Sequence, residues 1–160
     1  MRRPSARSFI IGMLAFAAGL VGTQLFFRGP MEQVTEESLE RARQTWNAAQ
    51  IRSYDVKYEL NSDNYEVQVR DGIVIEVLAN GTRPVSTNWS NYSIDGLFEL
   101  LALELENLTN PHGPFGSQVN AVLAKVRFDD AFGYPAYYLR SGGGARQATV
   151  RVREFVKMRP

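Results

Sequence analysis

Residues 54–79 constrain the fold of this chain more than any other stretch, because their apolar positions recur every second residue. Tyr54, Val56, Tyr58 and Leu60 alternate with Asp55, Lys57 and Glu59, and Tyr65, Val67 and Val69 alternate with Glu66, Gln68 and Arg70. A period of two puts each set of side chains on its own face of a pleated strand. Asn61-Ser62-Asp63-Asn64, between the two runs, has turn chemistry. Asp71-Gly72 is a two-residue hairpin signal, since a type I′ turn needs positive φ at both central positions. A third strand runs from Ile73 to Ala79 and ends at Asn80-Gly81. Strands joined by turns this short pair as an antiparallel meander.

Two flanking segments carry a helical period instead. Thr35 is placed to cap a helix with Glu36 and Glu37 in its first turn, where acids suit the helix dipole. Leu39, Ala42, Trp46 and Ala49 then form one apolar stripe over residues 35–50, with Trp46 read as a core residue. Ser93 caps a second helix with Asp95 in its first turn. Leu97, Phe98, Leu100, Leu101, Leu103, Leu105 and Leu108 cover most of its circumference, which predicts a largely buried helix. Asn110-Pro111 stops it. Three more strands are expected at Val122–Phe128, Tyr134–Arg140 and Gln147–Val156, joined by Asp129–Gly133 and by Ser141-Gly142-Gly143-Gly144. The order αβββαβββ predicts an α+β domain over residues 35–160, with two helices on one face of an antiparallel sheet.

Ahead of that domain, Phe9 to Phe27 is a run of 19 uncharged residues, preceded by Arg2, Arg3 and Arg7 and closed by Arg28. As a helix at ~1.5 Å per residue it spans roughly 28 Å, close to the hydrocarbon thickness of a bilayer. Residues 1–28 are therefore expected to be a membrane anchor or signal segment, with 29–34 as a linker. The basic flank places the N-terminus in the cytoplasm and the domain outside. An uncleaved anchor contacting the bilayer through residues 9–27 is preferred over a cleaved signal peptide and secretion. Cleavage after Ala15-Phe16-Ala17 would leave too short an apolar core, and cleavage near Thr23 would leave Leu25, Phe26 and Phe27 exposed.

Several chemistries are disfavoured by residue type. The chain has no cysteine, which removes disulfides, thiolate metal sites, thiol catalysis and lipid attachment at an N-terminal cysteine. From Arg28 on, 15 bases meet 17 acids, a balance that does not suit a nucleic-acid binder. The basic C-terminal residues Arg146, Arg151, Arg153, Lys157 and Arg159 read as a solvated strand face, since Arg151 and Arg153 alternate with valines. His112 is the sole histidine and sits in a Pro/Gly loop, so no metal site or cofactor is expected. Asp129-Asp130 read as a turn, since neighbours at a strand end point to opposite faces. Sequons at Asn80, Asn88, Asn91 and Asn107 are read as chance.

One ordered set of residues is familiar. Trp46, then Tyr54-x-Val56-x-Tyr58, Val69-x-Asp71-Gly72-x-Val74, Ser93-Ile94-Asp95-Gly96-Leu97-Phe98, Phe128-Asp129 and Gly133-Tyr134-Pro135 follow one another. The pattern resembles a family of exported bacterial domains of unknown function, many of them lipoproteins, over roughly residues 40–140. The resemblance implies an exported location and an α+β fold. It brings no activity and no catalytic residues. The expected function is a non-enzymatic, membrane-tethered module that binds a protein or small ligand; the alternative is a hydrolase-like envelope enzyme using Asp129, Asp130 and His112. Candidate contact residues are Trp89, Tyr92, Tyr137 and Tyr138. Tyr137 and Tyr138 are neighbours on one strand, so one of them should reach the helix-free face. The loop at 82–92, with Trp89 and Tyr92, is expected to fold over that face as a second small core.

Overall fold

The computed structural model describes residues 30–86, 88–110, 112–115, 121–142 and 146–158. Its elements are β1 (Glu32–Gln33), α1 (Glu36–Ala48), β2 (Tyr54–Leu60), β3 (Asp63–Arg70), β4 (Ile73–Ala79), a 3₁₀ turn (Trp89–Tyr92), α2 (Ile94–Thr109), β5 (Val122–Phe128), β6 (Pro135–Gly142) and β7 (Ala148–Lys157). The folded unit runs from Met31 to Pro160. The apolar run Phe9–Phe27 lies outside the described residues, as do Ser117, Gly143-Gly144 and Arg159. Among the described residues no helix is long and apolar enough to cross a membrane.

Both helices start where a hydroxyl can satisfy their free N–H groups. Thr35 Oγ1 accepts from the Ser38 amide at 3.1 Å and Ser38 Oγ accepts from the Thr35 amide at 3.1 Å, a reciprocal box. Ser93 Oγ accepts from the Gly96 amide at 3.1 Å. Asp71 (φ 52°) and Gly72 (φ 80°) make the hairpin between β3 and β4. The first turn is tighter than expected: Asp63 and Asn64 belong to β3, and Leu60 pairs with Asp63 across Asn61-Ser62.

The described strands form one antiparallel sheet of seven in the order β1-β5-β6-β7-β2-β3-β4. Two three-stranded meanders thus lie side by side, joined where β7 pairs with β2. The seventh strand is a correction: residues 29–34 are not all linker, because Glu32 and Gln33 pair with Val126 and Lys125. Val34 follows them into the core at 4% exposure. The alternating positions Tyr54, Val56, Tyr58, Val67, Val69, Val77, Ala124, Val126, Tyr138, Val150 and Val152 join Leu39, Trp46, Leu97, Phe98 and Leu101 of the helices in one core. Both helices therefore cover the same face. The opposite face carries ion pairs across β2, β3 and β7: Asp55–Arg70 at 2.7 Å, Lys57–Glu154 at 3.1 Å and Glu59–Arg153.

The second helix departs from expectation. Ile94, Leu97, Phe98, Leu101 and Glu104 are buried, but Leu103 is 55% exposed and Leu100, Leu105 and Leu108 are only half-buried. A helix laid on one sheet buries one stripe, and its remaining leucines stay open unless another body covers them.

Gly133 (φ 78°) closes the β5–β6 turn against α1. A Cβ there would lie 2.5 Å from the Ala42 carbonyl oxygen, whereas one at Gly72 would meet nothing within 4 Å. Gly72→Ala should cost about 1–2 kcal/mol, the left-handed backbone term alone. Gly133→Ala should cost at least ~2 kcal/mol more, because helix and turn must separate. Urea unfolding of the two variants checks this, and equal losses would mean α1 does not press on the turn.

Candidate functional site

Three residues of the pattern, Tyr54, Asp95 and Tyr134, meet Trp46. Its indole meets Tyr54, Tyr134 and Phe155 edge-on, with ring centroids 5.6, 6.4 and 6.0 Å away. Indole Nε1–H donates to Asp95 Oδ1 at 3.0 Å, joining the last turns of α1 to the first turn of α2. Tyr54 Oη accepts from the Ile94 amide at 3.0 Å, supplying a partner to one free N–H of α2. Burial holds the Tyr54 phenol well above the usual tyrosine range. This locus is closed packing with its polar groups satisfied, not an opening for a ligand.

Asp129 belongs to the same support. Its Oδ1 accepts from the amides of Ala131 (3.1 Å) and Phe132 (2.8 Å), and its carbonyl accepts from Gly133. The residue is 7% exposed, and desolvation raises its carboxyl pKa despite those bonds. Asp130 points to solvent. His112 lies elsewhere. Phe98 of α2 stacks on Phe128 at the end of β5 (6.3 Å), so α2 runs back along β5 and His112 follows its far end. The seven residues of β5 span roughly 20 Å, so His112 and the Asp129-Asp130 pair stand at opposite ends of the strand. Among the described residues no group of three or more His, Asp or Glu is placed to hold a metal ion.

The four aromatic contact candidates separate. Tyr138 is 1% exposed in the core, where its hydroxyl donates to Glu104 Oε2 at 2.9 Å. Its pKa is raised by burial and then by the Glu104 charge. Glu104 also meets Arg140 Nη1 at 2.6 Å, a nearly buried ion pair tying α2 to β6. Sequence reading missed this pair. The signal was there: Glu104 falls on the same helical stripe as Leu97, Leu101 and Leu108, and Arg140 is two residues from Tyr138 on its strand face. Tyr137 lies on the opposite, helix-free face, between Arg127 and Arg151 in register. The Arg127 guanidinium sits 5.8 Å from its ring centre.

Trp89 and Tyr92 do not fold over that face. Tyr92 stacks on Tyr65 (5.4 Å), Tyr65 stacks on Tyr58 (5.2 Å), and Trp89 packs at the margin of the same core. The loop at 82–92 therefore extends the helix side, because the 3₁₀ turn runs straight into the cap of α2. The helix-free face keeps its charged cover and Tyr137.

A groove of about 740 Å³ opens between the start of α1, the second half of α2 and the β1–β5 edge. Its apolar lining is Val34, Leu39, Ala102, Leu105, Leu108, Val122 and Ala124, and Gln33, Thr35, Glu36, Glu106 and Thr109 stand on its polar margin. The volume lies within the range of small-molecule sites, as does an apolar floor with a few polar groups. None of the aromatic candidates lines it. Its sequence signal is the excess of leucine around α2, which by period alone predicts burial. No family model, no curated protein and no solved structure matches this chain.

Tyr138→Ala should lower stability by about 3 kcal/mol or more, since a buried ring and a carboxylate partner are lost together. Tyr137→Ala should cost under ~1 kcal/mol, as for a surface position. Equal losses in chemical unfolding would mean that the two rings do not face opposite sides of β6.

Proposed function

We propose that this chain is a membrane-tethered, extracytoplasmic binding module, held by residues 9–27, that takes its ligand in the groove beside α2. The observation that carries the reading is the half-covered leucine surface of α2. A helix whose apolar residues exceed what its own domain covers offers contact area to another molecule. The groove is floored by alkyl side chains and edged by Gln33, Thr35, Thr109 and two carboxylates, with no histidine, serine or cysteine among the described lining residues. Such a surface binds rather than transforms. Arg2, Arg3 and Arg7 before the apolar run, against Arg28 alone after it, support the outward orientation. The Trp46-to-Pro135 pattern, with its resemblance to exported bacterial domains, supports the same location. Asp129 acts as a turn former in this reading, and Asp130 and His112 as solvent-exposed residues.

Two experiments test it. A reporter fused after Pro160 should be active only outside the cytoplasm, with the full-length chain sedimenting with membranes; a shorter soluble form would replace the anchor with a cleaved signal. Filling the groove with Ala102→Phe should abolish function in cells lacking the native chain, with stability held within ~1 kcal/mol of the parent as expected at a half-buried position. Asp129→Asn, which can keep the two turn bonds, and His112→Ala should complement fully. Loss of function in His112→Ala with a working Ala102→Phe would overturn the binding reading.

A further inference from the structure

The electrostatics of the groove restrict its ligand further, an inference that rests on the groove being the binding site. Among the described residues, the only ionisable ones that line it are Glu36 and Glu106. Among the described residues neither carboxylate is paired to a base. Glu106 stands in the last turn of α2, which holds no basic residue. The negative end of that helix dipole is thus reinforced by a like charge, where a helix ordinarily carries a lysine or arginine. The positive end of α1 also reaches the groove, but Glu36 and Glu37 occupy its first turn and offset it. The margin is therefore electronegative at both helix ends over an alkyl floor. We infer that the groove takes a cationic amphiphile, an apolar body bearing an ammonium head, and discriminates against anionic amphiphiles of the same shape. The apolar body replaces the missing cover of Leu105 and Leu108. The head supplies the cation that the end of α2 lacks. A carboxylate or phosphate head in that position would meet two like charges, and no base among the described lining residues would offset them.

The chain has no cysteine, so one introduced thiol reports on the groove alone. Full-length Ala102→Cys, in vesicles of neutral phosphatidylcholine, is modified with N-ethylmaleimide in the presence of 4-phenylbutylammonium, 4-phenylbutanol or 4-phenylbutanoate. The ammonium compound should protect the thiol at concentrations about two- to fivefold lower than the alcohol, the size of one or two partly exposed ion pairs, and the carboxylate should protect least. Glu36→Gln with Glu106→Gln should collapse the three curves toward that of the alcohol. Equal protection by all three compounds, or strongest protection by the carboxylate, overturns the charge preference while the groove stands as an apolar site. No protection by any compound, the alcohol included, overturns both the charge preference and the groove as a ligand site. Leu108→Cys serves as a second reporter should Ala102→Cys fail to fold, as judged by its melting curve.

Discussion

The hydrogen bond from the Trp46 indole to Asp95 fixes the relation between the two helices, and much of the fold hangs on that relation. Trp46 is 5% exposed and fills the space above Tyr54 and Phe155, so its N–H must find a partner within a few ångströms or remain unsatisfied. Asp95 provides it from the first turn of α2, where a carboxylate also suits the dipole. Tyr54 holds the neighbouring Ile94 amide from below. Deleting either partner would strand a buried polar group, at a cost of about 1–3 kcal/mol. With its start clamped in this way, α2 runs along β5, and its far half is left to form one wall of the groove.

Several residues of the Trp46-to-Pro135 sequence pattern serve this clamp or the turns around it. Trp46, Tyr54, Asp95, Asp129, Gly133 and Tyr134 are packing and turn residues, and none lines the groove. A pattern of this kind carries a fold. The groove is formed by residues such as Glu36, Ala102, Leu105, Glu106 and Leu108, which have no signature of their own. The helix-free face is a third kind of surface, in which neighbouring strands neutralise one another through cross-strand pairs such as Lys57 with Glu154. Pairs this exposed contribute little to stability, and Ile73, Leu123 and Val156 stay exposed on the strands.

Local chemistry was legible in the sequence, and distant pairing was not. The hairpin at Asp71-Gly72, the caps at Thr35 and Ser93, and the Val122–Phe128 strand each depend on residues within about one helical turn or one strand of one another. Period and turn chemistry suffice for those. The β7–β2 junction depends on residues such as Arg153 and Glu59, which are 94 positions apart, and no local period encodes it. The two-residue β1 is too short to show any alternation. Nothing in the composition of the loop carrying Trp89 and Tyr92 tells which face it joins, because its direction is set by the α2 cap. The groove escaped for a related reason: leucine content reports that a surface is apolar, not whether the chain itself covers it.

The side-by-side order of the two meanders has a consequence for how the chain comes into being. β2 is an interior strand of the sheet, yet one of its two edges is completed only by residues 148–157. Until those residues are made, the first meander exposes a bare strand edge and an unfilled half-core, and it cannot gain the stability of the finished sheet. A nascent chain emerging from its N-terminus therefore stays loosely folded for most of its synthesis. Such a polypeptide closes on itself only once its last strand is available.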